Sequence, residues 1–252
     1  MDNTLKTYKN LLTALTSAGY TFQTFQGFLK TSPVRAIILR HDVDRRPANA
    51  LKTARIEHDL GIPASYYFRA VPESWDKRII QKITDLGHEI GYHYENLSVC
   101  KGDPDRAWED FQANLAKLRI LAPVTTICMH GSPMSRINNL DLWKTHDYRT
   151  LGIVGEPYLD VDFTQVFYLT DTGRRWNHAG ASIRDRVDSG FDIAVNSTGH
   201  LMALVREERL PDRIMINTHP QRWEDRPLPW VKELVWQNMK NWVKWGLMKL
   251  KS

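Results

Sequence analysis

Short apolar runs, rich in β-branched and aromatic residues, alternate along this chain with longer stretches of helical period, and this alternation most constrains its fold. The strand candidates are 34–40, 64–69, 89–94, 125–131, 164–170 and 213–219. Between them, segments 48–59, 75–86, 105–120, 139–146 and 198–208 repeat their apolar residues at helical spacing. Strand and helix in strict alternation predict a parallel sheet with right-handed crossovers. We therefore expect an α/β fold built on a parallel sheet. An N-terminal helix over about 2–18 and a C-terminal amphipathic helix over about 228–249 complete one domain spanning 1–252. The 252 residues suffice for one substantial core.

Where the strands end matters as much as where they lie. Nearly every run closes in a polar cluster: "HDVD" at 41–44, "FR" at 68–69, "YHYE" at 92–95, "MHGSP" at 129–133, "LTDTGRRW" at 169–176 and "NTHPQRW" at 217–223. In a parallel barrel the C-terminal strand ends share one face, and such folds hold their chemistry there. Asp42 and Asp44 stand two apart, so an extended chain sends both carboxylates to one side and Val43 to the other. Like charges that close repel unless a cation joins them. A metal resolves the conflict; a solvated cluster with Arg40, Arg45 or Arg46 is the plainer alternative. His93 and Glu95 also share a face, and an imidazole with carboxylates is a donor set suited to a first-row ion, zinc by default. His88, before its strand begins, is expected to cap or pack.

With the residues in hand, "RHDVD", then "GIPASYYFR", then "LGHEIGYHYE" resemble the polysaccharide deacetylase superfamily, carbohydrate esterase family 4 and its relatives, through about the first hundred residues. The later "MINTHPQRW" resembles that family's last motif. The resemblance implies a distorted (β/α) barrel with seven or eight parallel strands, a divalent metal held by one aspartate and two histidines, and hydrolysis of N-acetyl groups on sugars; for a cytoplasmic chain, we expect that activity in cell-surface polysaccharide synthesis. Carried across residue by residue, Asp42 corresponds to the catalytic base, Asp44 to the metal-binding aspartate, His93 to the first metal histidine, and His219 to the group that protonates the departing amine.

This chain departs from the family pattern in two places. The aspartates are separated by one residue rather than adjacent, and Leu97 stands where the second metal histidine is expected. Leucine cannot ligate, so the third ligand is His130 or Glu95; we assign His130, because a third strand end gives a wrapped, open coordination. Arg69, Glu95, Asp171, Arg174 and Trp223 are the candidate substrate contacts. Asp171 with Arg174 alternatively orients the base or the histidine.

Composition bounds the partners. The net charge is +5, but the 34 basic residues are interleaved with 29 acidic ones, and no basic run carries stacking aromatics; nucleic acid is not expected. Cys100 and Cys128 show neither ligand spacing nor a disulfide framework. No stretch has the apolar core of a signal peptide or a membrane span, so we expect a cytoplasmic chain without stable membrane insertion. In the C-terminal helix Val231, Leu234, Val235, Met239, Trp242 and Val243 form an apolar stripe among lysines. We expect that stripe to pack on the barrel, with peripheral membrane contact as the alternative. Two other functions compete with a sugar deacetylase: an amide hydrolase with a non-sugar substrate, and a sugar-binding relative that has lost its metal.

Overall fold

A computed structural model describes residues 2–31, 33–131, 135, 137–172, 176, 187, 189–235 and 239. Its elements run α1 (Leu5–Ser17), β1 (Thr21–Gln23), α2 (Phe25–Thr31), β2 (Ala36–Val43), α3 (Pro47–Asp59), β3 (Ser65–Phe68), α4 (Lys77–Asp85), β4 (Glu89–Tyr94), α5 (Asn96–Val99), α6 (Pro104–Arg119), β5 (Ile127–Met129), α7 (Pro157–Asp160), β6 (Phe167–Thr170), α8 (Thr198–Arg206) and β7 (Arg213–Thr218). All six expected strands are present. β1 escaped notice because three residues are too few to show a period. The helix expected over 139–146 is a 3-10 turn at Asn139–Lys144, opened by the Asn138 side chain accepting from Leu140 N.

The seven strands form one parallel sheet ordered β5-β4-β3-β2-β7-β6, with β1 lying beside the first half of β2 and β3 beside its second half. The sheet curls into a half-barrel. Among the described residues β5 and β6 do not pair; the segment leading into α7 lies against β5 instead. There Ile127 N donates to Gly155 O and Met129 N to the buried Glu156 carboxylate.

Every residue of β2 is buried, as a parallel strand covered on both faces requires. Its alternate residues feed two cores. Ile37, Leu39 and Val43 join the helix layer with Tyr8, Leu12, Ala54 and Leu201. Ile38 joins the barrel interior with Phe25, Tyr67, Cys128, Tyr168 and Met215. Gly91 is required inside: a Cβ there would lie 2.3 Å from the Tyr67 ring. At roughly 25 cal/mol per Å² of apolar surface, burial on both faces makes β2 the centre of the fold's stability. The same alternation carries Arg40, Asp42 and Asp44 inward and His41 outward.

α1 begins where the Thr4 hydroxyl accepts from Thr7 N, and it buries Tyr8, Leu11, Leu12 and Leu15 at the predicted spacing. At the other end of the chain, 227–235 is helical. Its described residues correct the expectation that the apolar stripe packs inward: Val231, Val235 and Met239 are exposed, and the inward contacts belong to Trp230 and Glu233. Trp242 and Val243 lie outside the described residues.

Candidate metal and acid–base site

The inward residues at the strand ends converge on one pocket at the barrel mouth. Asp42 leaves β2 with both oxygens engaged: Arg40 Nε and Nη2 lie 3.1 and 2.8 Å from Oδ1 and Oδ2, and Asn217 Nδ2 donates to Oδ2 at 2.9 Å. Burial pushes this carboxyl up, but the Arg40 guanidinium and the imidazoles of His93 and His219 outweigh it and hold Asp42 far below the ordinary carboxylate range. Arg40 is itself fully buried, and Tyr158 accepts from it at 3.1 Å. Its partnership with Asp42 was legible as an i, i+2 pair on one strand face, and it answers the charge-cluster alternative for Asp42 only.

Asp44 differs. Gln221 Nε2 donates to its Oδ2 at 3.0 Å, whereas its Oδ1 is buried without a hydrogen-bond partner. That oxygen faces His93 Nε2 and His130 Nε2, each at 3.6 Å, too long for a hydrogen bond. The other ring nitrogens fix what these two atoms can do. His93 Nδ1 lies 2.9 Å from the Cys128 carbonyl, which only accepts, so Nδ1 carries the hydrogen and Nε2 is the atom turned toward Asp44, a lone-pair donor whenever the ring is neutral. Burial lowers this imidazole's pKa, and the Asp42 and Asp44 carboxylates more than offset that and raise it. His130 Nδ1 lies 2.9 Å from Glu95 Oε2. Burial raises the Glu95 carboxyl, and the His130 imidazole and Arg69 more than offset this, bringing it down to about 2; it is an acceptor, and His130 also presents Nε2.

Two nitrogen lone pairs and one unshared carboxylate oxygen therefore meet within 4.8 Å of one another. Ligands about 2.1 Å from a tetrahedral ion stand roughly 3.4 Å apart, close to the 3.6 Å separations here. Both histidines are held from behind by an acceptor, as metal-binding imidazoles are. The donor set fits a zinc-like ion. Asp42, His93 and Cys128 form an overlapping trio, but both Asp42 oxygens already accept hydrogen bonds, whereas Asp44 Oδ1 has no partner.

The arrangement follows from strand register. His93 pairs opposite Cys128 in the β4–β5 ladder, and that ladder runs on until His130 N donates to Tyr94 O at 2.8 Å. His130, two residues past the inward Cys128, is therefore inward too, beside Glu95. Leu97 lies elsewhere, in α5, packed with Ala107 and Leu142 in a separate apolar cluster.

Across the mouth, His219 follows β7 with Nε2 4.0 Å from Asp44 Oδ2. Its Nδ1 lies 2.7 Å from Asp171 Oδ1 and 2.9 Å from Arg222 Nη1, and Arg222 Nη1 lies 2.6 Å from the same Asp171 oxygen. Asp171 accepts in addition from His219 N and, at 2.8 Å, from Trp223 Nε1. Arg222 and Asn217 are functional-site residues that sequence reasoning missed. Their signal was their position within two or three residues of His219.

Several expected substrate contacts take other parts. Trp223 is fully buried against Tyr8 and Trp176, so no face of it meets a substrate; it braces Asp171. Asp171 is also buried and orients His219, the alternative role foreseen for it. Arg69 forms an ion pair with Glu95 at 2.6 Å, and Glu95 in turn orients His130, so both support the histidine rather than lining open space. Arg174 lies outside the described residues. His88 packs as expected, its Nε2 donating to Ala54 O at 2.9 Å.

No family model matches the chain, and no curated protein matches it in sequence. Among solved structures it is similar to a carbohydrate esterase family 4 pseudoenzyme from Bacillus anthracis, at 11% identity and a TM-score of 0.44, over 82% of this chain and 62% of that one. The chain thus spans under two thirds of that protein's length. It is also similar to a family 4 carbohydrate esterase from the same organism, at 13% identity and a TM-score of 0.43 over 92% and 86% of the two chains. A third similarity is to the carbohydrate esterase domain of a xylanase from the hindgut metagenome of Trinervitermes trinervoides, at 11% identity and a TM-score of 0.43 over 83% and 84%.

Proposed function

We propose that this chain is a metal-dependent hydrolase that removes an N-acetyl group from a sugar or sugar-containing precursor. The observation that carries the proposal is the convergence of Asp44 Oδ1, His93 Nε2 and His130 Nε2, all with free lone pairs, between Asp42 on one side and His219 on the other. A divalent ion held by these three ligands, zinc by its donor set, supplies a Lewis acid that polarises an acyl oxygen and acidifies water. The sugar substrate rests on the motif resemblance of "RHDVD", "LGHEIGYHYE" and "MINTHPQRW".

The chain's own groups divide the proton work. Asp42, kept ionised by Arg40 and Asn217, accepts the proton of the attacking water. His219 delivers a proton from Nε2 to the departing amine, while Asp171 and Arg222 hold its Nδ1 edge in place. Arg69 and Glu95 fix the rotamer of His130. The backbone turn after β2 contributes too: Asp44 N donates to Asp42 O at 3.1 Å, holding the two carboxylates at their separate tasks.

The test is elemental analysis of the purified protein together with acetate release from a panel of N-acetylated sugars. Near-stoichiometric zinc, with acetate released from at least one sugar, is the expected result. A protein that takes up no metal after zinc loading contradicts the ligand assignment, and a metal-replete protein that releases acetate only from non-sugar amides moves the substrate class.

A further inference from the structure

The helical stretch 227–235 is tied to the body of the protein by polar side chains. Glu233 is buried, with both oxygens 2.8 Å from Arg45 Nη2 and one 3.6 Å from Arg46. Trp230 Nε1 donates to Asp2 O at 2.9 Å. The apolar side chains are on the other side: Leu228, Val231, Val235 and Met239 are 77%, 48%, 61% and 50% exposed. At helical spacing Leu228, Val231 and Val235 fall within an arc of about 60°. Single exposed apolar residues need no account, but a continuous row does.

Charge surrounds that row. Leu228 lines a cavity of about 300 Å³ together with Arg46, Arg226, Lys232 and the acid Glu224. Arg226 and Lys52 share Glu224, whereas among the described residues Lys232 meets no carboxylate. In sequence, 228–252 carries Lys232, Lys240, Lys244, Lys249 and Lys251 against the single acid Glu233, with Trp230, Trp236, Trp242 and Trp245 among them. A second copy of the chain seated on this row would bring like charges face to face. An anionic bilayer offers the complement of both features, a negative headgroup layer above an apolar interior.

We propose that this segment docks the protein on an anionic phospholipid surface, with Leu228, Val231, Val235 and Met239 entering the acyl boundary and Arg46, Arg226 and Lys232 meeting lipid phosphates. The inference is independent of the hydrolase reading, because it uses neither the metal ligands nor the acid–base pair. No helix among the described residues is long and apolar enough to cross a membrane, so the contact is peripheral.

Flotation of the full chain with phosphatidylcholine vesicles, with and without phosphatidylglycerol, tests it. Binding is expected only with phosphatidylglycerol, and it should weaken as salt rises. The double substitution Val231→Asp/Val235→Asp should reduce bound protein about tenfold or more, and Lys232→Glu should reduce it by a smaller factor. Both positions are solvent-facing, and unchanged thermal unfolding of each variant is the check that it is folded. A wild-type chain that stays with the soluble fraction, or a folded double variant that floats as well as wild type, overturns the proposal. So does a wild-type dimer in sedimentation that the double variant converts to monomer without any flotation, since a second copy would then cover the row.

Discussion

Two histidine–carboxylate clusters lie back to back across the end of β2, and they are finished differently. On the inner side Asp44, His93 and His130 face one another across 3.6 Å gaps, with a buried oxygen left unpartnered. On the outer side Glu57 is crowded with donors. Tyr8 Oη donates to its Oε1 at 2.5 Å, His41 Nε2 lies 2.8 Å from the same oxygen, and Tyr66 Oη donates to Oε2 at 2.7 Å. His41 Nδ1 is 2.6 Å from Thr218 Oγ1, and its ring stacks on Tyr66. Both set histidine against carboxylate, so these residue types alone do not separate a site from a brace, although the outer cluster is fully buried and Asp44 and His130 are only partly so. Valence does: both Glu57 oxygens are filled by hydrogen bonds, with His88 Nδ1 unpartnered 3.7 Å from Oε2, whereas the inner cluster turns two imidazole nitrogens on a carboxylate oxygen that has no partner at all.

Substitutions can break this contrast. The largest effect is expected at Asp42→Asn, which should lower turnover by about 10²–10⁴-fold with zinc content unchanged; retention of most activity in a metal-replete variant would falsify the assignment of Asp42 as base. His130→Ala should strip the ion and activity together, as elemental analysis and acetate release would show, whereas Glu57→Ala should leave zinc uptake intact while costing about 3–5 kcal/mol in denaturant unfolding. Zinc loss on removing Glu57 from an otherwise folded protein would mean that the two clusters are one unit. Glu95→Gln should weaken zinc binding by about 10–100-fold in chelator competition, through a loosened His130.

The outer cluster also makes a prediction in pH. Burial raises the Glu57 carboxyl, and His41, His88 and Tyr8 more than offset it, so its folded pKa lies below the ordinary value. A depressed carboxyl contributes stability above its unfolded pKa, about 4.3, and loses it as pH falls from there toward the folded value. Glu57→Gln should therefore flatten this acid limb of the stability curve; an unchanged limb assigns acid unfolding to other carboxylates. The smallest effect is expected at Thr218→Val, about 1 kcal/mol for one lost hydrogen bond. Because Thr218 stands between Asn217 and His219, a fall in activity beyond severalfold at that stability cost would reveal coupling through the strand.

Much of this was legible in the chain. The six strand candidates are all strands, and the period of two placed Asp42 and Asp44 together because side-chain direction in a strand is a local property. The same rule sets Arg40 beside Asp42 and Asn217 beside His219, although an asparagine carries no charge to mark it as part of a site. Trp223 misled for the opposite reason: an aromatic in a polar strand-end cluster reads as a binding surface, and only its burial shows it as support for Asp171. The C-terminal helix misled through its stripe, which marks a buried face in most helices; here the polar anchors Glu233 and Trp230 turn it outward.

The class of fold, the shared direction of Asp42 and Asp44 opposite Val43, and a donor set suited to a divalent ion are all legible along the chain. These depend on periodicity and chemistry within a few residues. Folding alone brings His130 to face His93 and Asp44 with Glu95 behind it, and sets Asp171 and Arg222 against His219. Those meetings join residues tens of positions apart, and strand register and sheet curl, which no local pattern encodes, set which of them touch.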